Sequence, residues 1–117
     1  MKIEEFYKKV GGNYNEVLSR LMNDKLILKF VLKFKSDDTY KSLSEALNNK
    51  DYKTAFRAAH TMKGVCSTLG FQDLFSVSSE LTEVLRKDEI DFDFAETLFN
   101  KLRETYFFTI ELINSIE

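Results

Sequence analysis

Apolar residues recur along this chain at spacings of three and four, the period of an α-helix, and nowhere show the sustained alternation of a strand. Residues 3–10, IEEFYKKV, form a short first helix that ends at the paired Gly11 and Gly12, which read as a turn. A second helix is expected to start near Asn13 or Asn15. Asp24 is a candidate cap for a third, DKLILKFVLKFK, with apolar residues at 27, 30, 31 and 34. Asp37, Asp38 and Thr39 offer caps for a helix through Leu43, Ala46 and Leu47, and Asn48-Asn49-Lys50 makes a turn. Asp51 caps a helix expected over about 52–69, closed by Gly70 as its C-cap. The next segment, QDLFSVSSELTEVLRK, carries Leu74, Val77, Ser78, Leu81, Val84 and Leu85 at helical spacing. The acidic DEIDFD connects it to a long helix from Phe92 to the C-terminus, with Ala95, Leu98, Phe99, Leu102, Tyr106, Ile110 and Ile113 on one face. Helices of this length joined by short polar turns predict an all-α fold: an antiparallel four-helix bundle with short additional N-terminal helices, one domain over residues 1–117.

Composition supports that picture and narrows the function. The chain has no Pro and four Gly, so helix breakers are scarce and each Gly needs a reason. With 44% hydrophobic residues in 117, one core can hold it without staples. Cys66 is the only cysteine, so no internal disulfide exists, which fits a reducing compartment. Seventeen basic against nineteen acidic residues, with no basic block, argue against a nucleic-acid footprint. No apolar run approaches a membrane span and MKIEEFYKKV lacks the apolar core of a signal peptide, so a cytoplasmic, non-membrane protein is expected. A starting Met and a complete bundle favour a stand-alone protein over a domain of a hybrid kinase.

The helix over 52–69 carries the chemistry. On a helical wheel Ala55, Ala58, Ala59, Met62, Val65, Cys66 and Leu69 form one apolar stripe, almost opposite His60. His60 therefore points outward, with Lys53, Phe56, Arg57, Lys63, Gly64 and Ser67 around it. Gly64 is the anomaly. A mid-helix Gly costs about 1 kcal/mol relative to Ala, and on the outward face no core packing explains it. It supplies access, letting another protein's backbone approach the imidazole.

An exposed neutral imidazole is a usable nucleophile. If it attacked phosphorus, the phosphoryl oxygens would need counter-charge, and Lys63, three residues on, is within reach. Arg57, one turn the other way, could assist or steer an acidic partner. A lone surface histidine is ordinarily solvated and inert, and it is the conjunction of His60, Lys63 and an outward Gly64 that singles out this face.

The run A-H-T-M-K-G-V-C-S-T-L-G, residues 59–70, resembles the signature of histidine-containing phosphotransfer (HPt) domains, matching it at His60, Met62, Lys63, Gly64, Leu69 and Gly70. The resemblance extends to size and to the four-helix bundle. It implies that His60 is the phospho-acceptor, that Lys63 lies near the phosphoryl oxygens and that Gly64 gives a receiver domain room to dock. Candidates for the docking surface are Lys53, Phe56, Arg57, Gly64, Ser67, Thr68 and Phe71. Where many members carry a Gln or Glu that hydrogen-bonds the imidazole from the next helix, this chain has Thr82, with Glu83 and Ser79 as alternatives. The implied partners are response-regulator receiver domains and a sensor histidine kinase, with Mg2+ held by the receiver and no cofactor or metal on this chain.

Two rival classes remain alongside. In the first, the chain is a non-catalytic helical interaction module with His60 incidental, and Phe56, Phe71, Phe107 and Phe108 line a partner groove. In the second it is a hydrolase, which fails on inventory because Cys66 lies on the opposite face from the only histidine. No Gly-rich phosphate loop occurs, so the chain is not expected to act as an autonomous kinase. The Asp37-Asp38 and Asp91/Asp93 pairs sit at helix starts and read as caps, leaving no metal site.

Overall fold

The computed structural model describes residues 1–117 and consists of helices and turns alone. Seven α-helices follow in order: α1 (Ile3–Lys9), α2 (Tyr14–Leu21), α3 (Asp24–Lys33), α4 (Thr39–Asn48), α5 (Tyr52–Leu69), α6 (Gln72–Arg86) and α7 (Phe92–Asn114). A single 3-10 turn, Phe34–Ser36, ends α3. Short side chains set most of the boundaries. The side-chain oxygens of Asn13, Asn23, Asp51 and Asp91 each accept a bond from a backbone N–H three residues on, at 2.8 to 3.2 Å. The cap of α3 is thus Asn23 and not Asp24, which is already inside the helix. At α4 the acceptor is Asp37, whose Oδ1 takes the Thr39 N–H at 2.8 Å, while Asp38 occupies the cap position without a side-chain bond.

Helices α4 to α7 form the antiparallel bundle. The α5–α6 hairpin is its most extensively packed pair, with α4 on the other side of α5 and α7 against α6. One core runs through it, contributed by Leu43, Ala55, Ala59, Met62, Leu74, Leu81, Leu102 and Ile113 among others. The seam between α4 and α7 is filled with aromatic rings, Tyr40 stacking on Tyr106 at 4.1 Å between centroids. Helices α1 and α2 close one end. Phe6 and Tyr7 are fully buried there, and the Tyr7 hydroxyl donates to the Leu69 carbonyl at 2.8 Å. Burial pushes the Tyr7 phenol well above its ordinary range, with only a small opposing effect from Arg20.

This end of the bundle also holds the C-terminus of α5. Gly70 sits at φ +74°, the left-handed cap conformation, and a Cβ there would lie 2.4 Å from Val17 Cγ2. Arg20 of α2 donates to the Ser67 and Thr68 carbonyls at 3.4 and 3.3 Å, so distant side chains satisfy the orphan acceptors of α5. The last turn of α5 is therefore tied to both α1 and α2.

Candidate functional site

The two faces of α5 differ as the spacing of its residues requires. Ala55, Ala58, Ala59, Met62, Cys66 and Leu69 are buried, and the small alanines let α4 and α6 approach closely. Val65 is only half-buried, at the edge of the stripe. Cys66 is fully buried, and desolvation raises its thiol far above the ordinary range. It is a small core hydrophobe, not a nucleophile.

On the outward face His60 is exposed, and so are Lys53, Arg57, Gly64, Ser67 and Thr68. Phe56 and Lys63 are half-buried. The Phe56 ring lies 6.1 Å from the imidazole, and the Arg86 guanidinium of α6 sits 5.0 Å from the centre of that same ring. Lys53, Arg57 and Lys63 enter none of the molecule's ion pairs. Three cations outside any ion pair on the imidazole's side of the helix make a face suited to an anionic group. At Gly64 an added Cβ would meet no atom within 4 Å. The face beside the imidazole is open because the chain leaves it open.

Beyond Gly64 the surface continues as a groove of about 400 Å³ between α3 and α5. Phe30, Phe34, Val65 and Leu69 supply its apolar wall, and Lys33 and Asp37 stand at its rim with Thr61 and Thr68. The Thr68 hydroxyl donates to the Gly64 carbonyl at 3.1 Å and the Thr61 hydroxyl to that of Arg57 at 3.0 Å. Both hydroxyls are thereby turned back on the helix, leaving their methyl groups toward solvent.

Two expected site residues are elsewhere. Phe71 does not belong to an exposed docking surface: it is fully buried, with its ring edge-on to Phe6 and Phe34 at 5.6 and 5.2 Å. The helix ends at Leu69, and the left-handed Gly70 swings the chain inward, off the outward face of α5. Thr82 does not reach the imidazole either. It is fully buried, and its hydroxyl donates to the Ser78 carbonyl of its own helix at 2.7 Å. Glu83 is paired with Arg86 at 3.3 Å, and no side-chain hydrogen bond to His60 is made from α6.

Arg86 and the α3 wall, conversely, are parts of this surface that the sequence did not point to. Arg86 lies a whole helix away from Phe56 in sequence, and no local spacing connects them. Phe30 and Phe34 did stand out as an apolar stripe, but nothing local says which helix that stripe faces.

No three His, Cys, Asp or Glu side chains gather closely enough to hold a metal ion, and Asp37 and Asp91 accept the backbone bonds described above. No helix is long and apolar enough to cross a membrane. Neither the curated proteins nor the solved structures contain a match to this chain. The family model of the Hpt domain does match it, over residues 31–106, a span that runs from the last turn of α3 into α7 and takes in all of α4, α5 and α6. The motif on α5, the helical bundle around it and that match together place the chain in the Hpt domain family.

Proposed function

We propose that this chain relays phosphoryl groups through His60. Hpt domains carry phosphoryl groups on histidine in phosphorelays and act as carriers, not as autonomous enzymes. The observation that brings this property to one residue is the exposed imidazole of His60 beside a Gly64 whose missing side chain nothing in the chain requires. An unprotonated ring nitrogen attacks the phosphorus of a receiver's aspartyl phosphate. The N–P bond forms as the P–O bond to the carboxyl group breaks, and the carboxylate leaves with the electron pair. The proton on the other ring nitrogen passes to solvent. In the return direction the same bonds exchange with a second receiver's carboxylate.

Lys63 supplies counter-charge to the phosphoryl oxygens, and Lys53 and Arg57 favour approach of a receiver's acidic pocket. Phe56, which neighbours both Arg86 and the imidazole, adds an apolar surface beside His60. Gly64, Ser67 and Thr68 give the receiver's backbone a low surface to lie against. Mg2+ and most of the stabilisation of the transferring group belong, on this reading, to the receiver. A sensor kinase stands upstream of that receiver.

The test is transfer of labelled phosphate from a panel of phosphorylated receivers to the wild type and to His60→Gln. An acid-labile, base-stable adduct on the wild type and none on the variant is expected. Label that persists on His60→Gln overturns the assignment and leaves a module that binds partners without chemistry.

A further inference from the structure

Helix α7 carries most of the molecule's exposed large apolar side chains: Phe92, Phe94, Phe107 and Phe108 are each 45 to 55% exposed. Function at His60 does not account for them, because α7 packs on α6 and, through aromatic rings, on α4, across the bundle from the outward face of α5. Phe92, Glu96, Phe99, Arg103 and Phe107 recur at spacings of three and four and share one flank of the helix. Aromatic neighbours extend the stripe sideways. The Tyr52 ring lies 4.8 Å from Phe92, and that of Tyr40 lies 5.4 Å from Phe107. Between α4 and α7 runs a groove of about 460 Å³ with Tyr52, Phe92 and Phe99 along it and Glu96 and Arg103 in its lining.

The stripe is complementary to itself. Reversed end for end about a point between Phe99 and Asn100, it places Phe92 opposite Phe107 and Glu96 opposite Arg103. Within the stripe each charge then meets its opposite and the exposed rings of Phe92 and Phe107 meet each other, while Phe94 and Phe108 lie on the other side of the helix. A parallel pairing would set Glu96 against Glu96 and Arg103 against Arg103. Neither charge is spent within the chain. Glu96 enters no ion pair, and Arg103 donates only to Asn100 Oδ1, at 2.8 Å, and leans over the Phe99 ring.

We propose that the α4–α7 face binds a second copy of this chain, with the two α7 helices antiparallel about a two-fold axis between Phe99 and Asn100. The contact is closed and isologous, so it stops at a dimer. Both His60 faces remain on the outside of that dimer, available to receivers. This inference does not rest on phosphoryl transfer and fails or stands separately from it.

Sedimentation equilibrium of the whole chain over roughly 5 to 500 μM tests it, a range suited to a modest interface. Wild type is expected to rise with concentration from the monomer's 13.7 kDa toward twice that mass. Glu96→Arg and Arg103→Glu, which put like charges opposite each other, are each expected to weaken association about tenfold or more. The double variant Glu96→Arg/Arg103→Glu restores opposite charges across the axis and is expected to recover the wild-type mass. Circular dichroism confirms that each variant is folded. A wild type that stays monomeric throughout overturns the proposal. So does a dimer that neither single reversal weakens, or a double variant that associates no better than the singles.

Discussion

Gly64 and Gly70 belong to the same helical segment and have opposite reasons to be glycine. Gly70 is demanded by the fold: its φ is +74°, and a side chain would run into Val17. The neighbouring turn is equally tight, since a Cβ on Gly12 would lie 2.2 Å from the Gly70 carbonyl oxygen. Gly64 has ordinary helical backbone, open space around it and no neighbour to avoid. The fold would be more stable with almost any other residue there. On the proposed function, a glycine that the chain's own packing does not require is explained by a receiver's approach to the imidazole.

That contrast can be broken most forcefully at Gly70. Gly70→Ala combines a disfavoured left-handed backbone with a steric clash and is expected to destabilise the fold by about 3 kcal/mol. Thermal melting should show a fall of roughly 10 °C, while transfer per folded molecule holds. Gly64→Leu should do the reverse. It stabilises the helix slightly but obstructs the receiver, lowering the single-turnover transfer rate about 100-fold, equivalent to about 2.7 kcal/mol. A Gly64→Leu protein that transfers normally would remove the functional half of the comparison.

Smaller changes sharpen it. Tyr7→Phe leaves the Leu69 carbonyl without its partner at the clamped end of α5 and should cost about 1 to 2 kcal/mol in urea unfolding. Transfer chemistry at His60 is expected to be untouched. The smallest effect lies at the other end of α5. Hydrogen bonding to Thr54 holds the Asp51 carboxyl below its ordinary range. A folded-state pKa below the unfolded one contributes stability that is fully present above the unfolded value, near 3.9, and is lost as pH falls through the folded value. Asp51→Asn keeps a capping oxygen and is expected to flatten that acidic decline, leaving the neutral-pH melting temperature nearly unchanged.

The structure agrees with the sequence most closely where a property depends on residues within one helical turn of each other. Asp51 as a cap, Gly70 as the stop of α5 and the burial of Ala55, Ala59, Met62 and Cys66 opposite His60 all follow from spacing on one helix. Phe71 shows where that logic stops: it lies two residues past Leu69, beyond the left-handed Gly70, and the ring expected on the docking surface is fully buried. Thr82 fails differently. Its place along the α5–α6 hairpin was legible, but its rotation into the core was decided by how the two helices pack.

The outward triad of His60, Lys63 and Gly64 was determined by the sequence alone, because residues three and four apart on a helix must share a face whatever surrounds them. The helical architecture was determined in the same way, by apolar period, capping residues and the lack of Pro. Only the tertiary structure set Arg86 over Phe56, laid α3 beside Gly64 to form a groove and brought Tyr7 and Arg20 to the end of α5. Those contacts join residues distant in the chain, and their geometry depends on helix rotations and crossings that no local pattern encodes. A helix dictates which of its residues stand together, and packing decides what stands opposite them.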